Sequence, residues 1–181
     1  MRRWLRRNWI GLVAVAVLLP ATVGITFATQ WSSYFGGRAS DPVTVRSDTA
    51  ENFAHAAWTL TDVRRVSAAS SEGAEIGLPE GSDLVIVTAR VSPDGSGAEA
   101  PGCILLLEEL DGTTVTRSWG ASATDPIDYA ATEGTLSTCD SDALEPYTLE
   151  SAFVVADDAS DDLGLAVTVS SELPRYLRFR L

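Results

Sequence analysis

The sequence predicts an all-β domain, an antiparallel β-sandwich of about seven strands, preceded by one N-terminal transmembrane helix. Three observations support this prediction. Residues 9–28 contain no charged side chain. After them, short runs of alternating apolar and polar residues recur at intervals of roughly ten residues, and Gly, Pro and Asp mark the turns between the runs. No amphipathic helical pattern competes with these strands, so two stacked sheets are the expected architecture.

The stretch from Trp9 to Ala28 predicts the helix. Its 20 residues, rising about 1.5 Å each, match the ~30 Å hydrocarbon core of a bilayer. Pro20 is tolerated in such a helix because other groups can satisfy the freed carbonyl. Four arginines precede the stretch and only Arg38 follows it closely, which predicts a cytoplasmic N-terminus and an extracytoplasmic C-terminal domain at the cell membrane. The aromatic residues suited to the two interfaces are Trp9, Trp31, Tyr34 and Phe35.

A cleaved signal peptide is the alternative interpretation of this stretch. Ile10–Leu19 could serve as a short apolar region, with Pro20 opening the cleavage region. Thr26-Phe27-Ala28 lacks the Ala-x-Ala pattern of a cleavage site, which favours an uncleaved signal-anchor. Either interpretation places the rest of the chain outside the cytoplasm.

Charge is divided unevenly along the chain. All 25 acidic residues and eight of the 13 basic residues lie at Asp41 or later, which gives this part a formal net charge of −17, and lysine is absent. Such an acidic surface repels phosphate backbones and anionic head groups, so nucleic acid is excluded as a partner. Solubility in the cell envelope is the simplest role for the acidity.

Cys103 and Cys139 are the two cysteines. Outside the cytoplasm an even number of cysteines indicates a disulfide. Closing this loop, with a sequence separation of 36, would stabilise the fold by about 3–4 kcal/mol. No histidine lies near either cysteine, so a metal site is not expected.

The first strand is expected within Val43–Val66, where Trp58 and Leu60 alternate with threonines. The alternation breaks at Asp62, which predicts a β-bulge in an edge strand. Ala50–Ala57 could instead form a helical turn.

The remaining strands are bounded by clear turn signals, of which Asp111-Gly112 predicts a tight hairpin. The expected polar loops are Ala68–Gly81, Ser92–Gly102 and Gly120–Asp142, the last with a turn signal at Asp125-Pro126. The six further strands are expected at Asp83–Val91, Cys103–Leu110, Thr113–Trp119, Tyr147–Val155, Leu163–Val169 and Arg175–Leu181.

These elements divide the chain into four predicted regions. They are a cytoplasmic basic tail (1–8), a transmembrane signal-anchor (9–28), a linker (29–49) and an extracytoplasmic β-sandwich domain (50–181).

Several strand and turn patterns between about residues 50 and 181 carry a resemblance to known proteins. They are Trp58-Thr-Leu-Thr, Asp83-Leu-Val-Ile-Val-Thr-Ala-Arg-Val, the Leu110-Asp-Gly hairpin, Phe153-Val-Val and Leu173-Pro-Arg-Tyr-Leu-Arg-Phe. With the anchor and linker, the chain resembles membrane-anchored extracytoplasmic proteins of unknown function, of actinobacterial type, that carry an immunoglobulin-like domain. Trp119 lies between the two cysteines, although their spacing is shorter than in true immunoglobulin domains. The resemblance implies an architecture and a location, not an activity.

No group of residues predicts catalysis. His55 is the only histidine, so a Ser-His-Asp or Cys-His site would have to use it, and no nucleophile motif lies near it. The absence of lysine excludes Schiff-base, Walker-type and Ser-Lys chemistry. Paired carboxylates such as Glu108-Glu109 lack the aromatic cleft of a glycoside hydrolase. We therefore expect no catalytic, cofactor-binding or metal-binding residues and no cofactor.

Two clusters of charge leave alternatives open. Asp140–Asp142 and Asp157–Asp162 concentrate the oxygen ligands that calcium prefers, although neither matches an EF-hand loop. Arg175, Arg178 and Arg180 form a basic cluster, for which pairing with acidic residues of a neighbouring strand is the expected role. The alternative for this cluster is a sheet edge that docks an acidic partner or a wall polymer.

The sequence thus predicts a single-pass, membrane-anchored interaction or structural module of the cell envelope that is not an enzyme. Its expected partners are the lipid bilayer, through residues 9–28, and an envelope protein or ligand that the sequence does not identify. The alternatives are a ligand- or calcium-binding domain and, less favoured, a secreted protein with a cleaved signal peptide.

Overall fold

The computed structural model describes residues 2–95, 102–121 and 127–181. The chain divides into two compact units, one ending at Arg38 and one beginning at Ala39. Most of the expected Ser92–Gly102 loop and the whole Asp125-Pro126 turn signal lie outside the described residues.

The first unit is one helix, α1 (Arg2–Gly36), of 35 residues. Pro20 lies inside it without ending it. Every residue of the uncharged stretch 9–28 is exposed, and the helix is long and apolar enough to cross a membrane by length and composition. The predicted linker therefore begins as helix, which continues to the Gly36-Gly37 pair because no proline or glycine interrupts residues 29–35.

The described part of the second unit contains two sheets, one short α-helix, α2 (Ser71–Glu75), and one 3-10 turn (Ser170–Glu172). One sheet has five strands: β1 (Asp41–Arg46), β5 (Cys103–Asp111), β6 (Thr114–Gly120), β8 (Leu163–Val169) and β9 (Arg175–Arg180). The other has four: β2 (Glu51–Phe53), β3 (Ala56–Ser67), β4 (Ser82–Pro93) and β7 (Tyr147–Ala156). The strand orders are β1-β9-β8-β5-β6 and β2-β3-β4-β7.

Side chains from both sheets meet in one main apolar core. Trp58, Phe153 and Phe179 are its largest fully buried members. Trp58 Nε1 donates a hydrogen bond to the Phe53 carbonyl at 3.0 Å, so its polar atom is satisfied inside an apolar environment. The predicted β-sandwich is confirmed, because two stacked sheets bury the alternating apolar residues between them.

Nine strands are present among the described residues, where about seven were expected, and the two additional strands lie before Trp58. Asp41–Arg46 was assigned to the linker, but it forms β1 and pairs with β9 in parallel, so the five-stranded sheet is not wholly antiparallel. Asp41-Pro42 was interpreted as a break. Proline is tolerated here because β1 is an edge strand, so its outer side does not need a backbone N–H group as a hydrogen-bond donor.

The turn before β3 is a hairpin, not the helical turn considered for Ala50–Ala57. β2 pairs with the start of β3 across Ala54 and His55, both of which have positive φ. Further along β3, the register against β4 shifts between Leu60 and Asp62, which confirms the predicted bulge. β2 pairs only as far as Trp58, so the bulged half of β3 is an edge, as expected.

A second apolar cluster lies on the outer face of the four-stranded sheet. Leu84 and Ile86 of β4 pack there with Leu78 and Ile127. The sequence predicted one polar face for each strand, but both faces of β4 are buried. The difference arises because two connections expected to be polar loops fold back over the sheet, one of them containing α2.

Candidate functional site

The exposed apolar surface of α1 is the first candidate site. Between Trp9 and Ala28 its large apolar side chains are 41–71 % exposed. Soluble proteins rarely expose a contiguous apolar surface of this extent. The Thr22 hydroxyl donates to the Leu18 carbonyl at 2.8 Å, so this polar group is satisfied by the helix itself. The stretch therefore presents a surface suited to lipid, in which internal hydrogen bonding is required.

The second candidate is the acidic turn, residues 157–162, which joins β7 to β8. Three arginines from three strands hold three of its four carboxylates. The pairs are Arg65–Asp161 at 3.3 Å, Arg117–Asp158 at 2.7 Å and Arg180–Asp162 at 2.6 Å. Arg65 lies on β3, whereas Arg117 and Arg180 lie on β6 and β9 of the other sheet. The acidic turn therefore connects the two sheets at one end of the sandwich.

Arg117 also holds the buried carboxylate of Glu109 beneath this turn. Its Nε lies 2.5 Å from Glu109 Oε2 and its Nη2 3.0 Å from Oε1. The Ser160 backbone N–H donates to Oε1 at 2.8 Å. The bonds from Arg117 and then Ser160 lower the pKa of Glu109 to about 2, against the opposing effect of burial. Hydrogen bonds to the ionised form favour that form, so Glu109 is a carboxylate at neutral pH.

Arg65 makes a similar contact on the opposite sheet. Its Nε lies 2.8 Å from Asp83 Oδ2, and its Nη2 donates to the Ala159 carbonyl at 3.1 Å. Asp83 is buried. The ion pairs Arg117–Glu109 and Arg65–Asp83, one from each sheet, thus close this end of the core beneath the acidic turn.

These contacts bear on the calcium alternative. Asp158, Asp161 and Asp162 are each paired with an arginine, so a cation would have to displace those guanidinium groups. In the other cluster, the Asp142 N–H donates to Asp140 Oδ1 at 2.9 Å. Within the described ranges, no group of three or more His, Cys, Asp or Glu side chains is arranged to hold a metal ion.

The arginines on β9 pair with acidic residues of the domain. The expected partners on a neighbouring strand are not used, because Glu108 lies on β5 and Glu172 and Asp162 lie outside the strands. Arg178 Nε lies 2.6 Å from Glu108 Oε2, and both side chains are buried. Arg178 Nη2 also donates to the Tyr176 hydroxyl. Arg175 lies 2.7 Å from Glu172. β9 is not a sheet edge, because β1 and β8 flank it on both sides.

His55 lies in the turn between β2 and β3. Its Nδ1 is 3.3 Å from Asp94 Oδ2, and both side chains are exposed. In the part of the chain that the structure describes, no hydroxyl or thiol hydrogen bonds to the imidazole.

Sequence reasoning missed the polar group on the outer face of β7. The Tyr129 hydroxyl lies 2.5 Å from Glu150 Oε1, to which the Thr132 N–H also donates at 2.9 Å. Burial, then the bond to Glu150, raises the pKa of Tyr129 to about 12. Burial alone would raise the pKa of Glu150, but the bonds from Tyr129 and Thr132 outweigh it and lower the pKa. The apolar–polar pattern of β7 gave no signal, because the group depends on a distant loop.

The predicted disulfide between Cys103 and Cys139 is present, with its Cα atoms 5.5 Å apart. It joins the start of β5 to the connection between β6 and β7. Beside it lies a shallow pocket of about 320 Å³. The described residues that line this pocket are uncharged and include Ile104 and Ala121. The disulfide fixes the long connection against the five-stranded sheet, and the hydroxyl residues Ser137 and Thr138 of that connection also line the pocket.

Neither a protein-family model nor a curated protein matches this sequence. Two solved structures are similar to it. One is a candidate lipoprotein of Bacillus subtilis, at 15% identity and a TM-score of 0.45, with the match covering 75% of this chain and 39% of that one. The other is an uncharacterised β-sandwich protein of Clostridium difficile, at 10% identity and a TM-score of 0.39. This match covers 80% of this chain and 95% of that one. The match thus spans well under half of the Bacillus protein. Likeness at these values identifies no function for this chain.

Proposed function

We propose that this chain is a single-pass membrane protein that carries a non-catalytic interaction or structural module on the outer side of the cell membrane. The observation that carries the proposal is the fully exposed apolar stretch of α1 in a chain whose other unit is a disulfide-bonded sandwich. An apolar helix of this length requires a non-aqueous environment. A structural disulfide is stable in an oxidising compartment and rare in the cytosol.

Two charge features support the orientation. The N-terminal tail carries four arginines, and the residues from Asp41 onwards carry a net charge of −17, with eight arginines against 25 acidic residues. Basic residues remain on the cytoplasmic side during insertion. The acidic sandwich is then kept soluble on the outer side and away from anionic head groups.

The polar groups of the sandwich favour a role without catalysis. Buried Glu109 and Glu108 are held by Arg117 and Arg178, and His55 lies in an exposed turn. Ion pairs of this kind hold the fold, and they keep the carboxylates of Glu108 and Glu109 from serving as a free acid or base. We propose that the module acts by binding an envelope protein or ligand.

Site-directed thiol labelling in cells tests the orientation. The native cysteines are joined in a disulfide, so Glu80→Cys supplies one reactive thiol on the exposed surface of the sandwich. Asn8→Cys is the matched variant on the opposite side of the apolar stretch. A membrane-impermeant maleimide should label Glu80→Cys in intact cells and Asn8→Cys only after lysis. The reverse pattern, or labelling of neither variant before lysis, would overturn the proposal.

The mass of the mature chain separates the anchor from a cleaved signal peptide. The intact protein should remain in the membrane fraction after alkaline carbonate extraction and should retain residues 1–28. A mature chain that lacks this stretch, released into the medium, would instead favour the secreted alternative.

A further inference from the structure

The end of α1 carries four aromatic side chains on one side of the helix. Since successive residues are offset by about 100°, Phe27, Trp31, Tyr34 and Phe35 fall within an arc of about 100°. The opposite side of the same turns carries small or polar residues, namely Thr29, Ser32, Ser33 and Gly36. This part of the helix is therefore amphipathic, unlike the uniformly apolar stretch before it.

Ring contacts assemble these side chains into a continuous aromatic face, residues 27–35. The ring centroids of Phe27 and Trp31 lie 5.7 Å apart, and those of Trp31 and Phe35 lie 4.4 Å apart. Tyr34 meets Phe35 edge-on at 5.1 Å. All four residues remain 42–61 % exposed. The face is thus preformed, and it requires an apolar cover.

Arg38 extends this face with a cation. Its guanidinium carbon lies 4.2 Å from the centroid of the Tyr34 ring, which is a cation–π geometry. Within the described ranges no carboxylate pairs with Arg38, in contrast to Arg65, Arg117 and Arg178 of the sandwich. The positive charge is therefore available to an external anion.

We propose that the aromatic face lies in the head-group layer of the bilayer, with Arg38 bound to lipid phosphate. This inference rests on the proposed membrane anchoring. The face continues directly from the apolar stretch, so the same lipid phase reaches it. Aromatic rings are favoured at the membrane interface, and a guanidinium group binds phosphate oxygens through charge-assisted hydrogen bonds.

The one-sided arrangement has a consequence that a belt around the helix would lack. Rings on all sides would permit any rotation of the helix about its axis. Rings on one side are covered only when that side leans against the bilayer surface. The aromatic face therefore fixes both the tilt and the rotation of the helix.

Spin-label accessibility along α1 tests this arrangement in the full chain, reconstituted in vesicles of phosphatidylcholine and phosphatidylglycerol. Single cysteines are labelled at Trp31, Phe35, Ser32 and Gly36, and the native disulfide leaves no other free thiol among the described residues. The ratio of oxygen accessibility to accessibility to a water-soluble nickel chelate should be several-fold higher for labels at Trp31 and Phe35 than for labels at Ser32 and Gly36.

Other outcomes are distinguishable. If labels at Val15 and Val17 favour the nickel chelate, the membrane anchoring itself fails. If those labels favour oxygen but residues 31–36 show no difference between the two sides, only the inference about the aromatic face fails. Low accessibility of the aromatic face to both reagents would show that a second helix covers it, which also overturns the inference.

Arg38→Gln tests the phosphate contact, with Arg38→Lys as the charge-conserving control. The difference in the oxygen-to-chelate accessibility ratio between the aromatic face and the opposite side of the helix should fall at least twofold in Arg38→Gln. It should be largely retained in Arg38→Lys. The unmodified chain in vesicles of uncharged glycolipids, which lack phosphate, should behave like Arg38→Gln. An unchanged profile in Arg38→Gln would overturn the role of lipid phosphate.

Discussion

Arg178 on β9 forms a buried salt bridge with Glu108 on β5, although β8 lies between the two strands. Gly164 of β8 stands directly opposite Glu108. A Cβ at Gly164 would lie 3.3 Å from Arg178 Cγ, and a backbone carbonyl is equally close. The long side chain crosses β8 because this position carries no side chain.

Gly164→Val should therefore destabilise the fold. The added atoms would press on Arg178 and on the carbonyl of Phe179, and overpacking of this kind costs about 1–3 kcal/mol. The free energy of unfolding in urea measures the effect. Gly120→Ala is the matched control, because a Cβ there meets nothing within 4 Å. Equal stability of the Gly164→Val variant and the unmodified chain would contradict the proposed crossing of β8.

Removing one member of the buried pair should cost more than removing an exposed arginine. Arg178→Met leaves Glu108 buried and unpaired, which costs about 3–5 kcal/mol. Arg175→Met breaks an exposed pair and should cost no more than about 1 kcal/mol. Urea unfolding of the double variant Glu108→Gln, Arg178→Met measures the coupling. The losses in free energy of unfolding of the single variants Glu108→Gln and Arg178→Met should add up to more than the loss in the double variant. Simple additivity would argue against a direct interaction.

Acid should destabilise the sandwich through Glu109. Its pKa is lowered from 4.5 to about 2, so folding favours the ionised form. This stabilisation is present above pH 4.5 and is lost as the pH falls towards 2. The free energy of unfolding should decline over this window, and the decline should be shallower in Glu109→Gln. Glu133→Gln, at an exposed position, should keep the slope of the unmodified chain. If the free energy of unfolding declined equally with pH in all three proteins, this role of Glu109 would be refuted.

Loss of the disulfide should loosen the long connection before β7 and lower global stability. The Cys103→Ala, Cys139→Ala double variant lacks a cross-link with a sequence separation of 36, worth about 3–4 kcal/mol in the chain-entropy model. Hydrogen exchange should speed up in residues 127–146, while the acidic turn, held by arginines, should change less. Uniform acceleration across the domain would indicate that the disulfide has no local role.

Calcium should not stabilise the domain appreciably. Asp158, Asp161 and Asp162 of the acidic turn are bound by arginines. A ligand raises the melting temperature only if it binds the folded state preferentially. We expect the thermal midpoint to stay within about 1 °C at millimolar calcium, with magnesium as the ionic-strength control. A calcium-specific rise of several degrees would restore the calcium-binding alternative.

Local patterns explain which parts of the fold were predictable. Period-two alternation in Asp83–Val91 and Leu163–Val169 indicated strands, and Asp111-Gly112 indicated the hairpin; β4, β8 and the turn between β5 and β6 follow these signals. β1 was missed because Asp41-Pro42 has the composition of a turn. Its strand conformation depends on pairing with β9, which lies more than 100 residues away.

The sequence by itself determined the exposed apolar helix, the sandwich architecture and the two cysteines that could pair, because these follow from hydrophobic periodicity and composition. Only the tertiary structure decided which charges meet. Arg178 reaches Glu108 over a glycine, and three arginines from both sheets converge on the acidic turn. Such contacts join residues distant in sequence, so no local pattern encodes them, and strand order and register alone bring them within hydrogen-bonding distance.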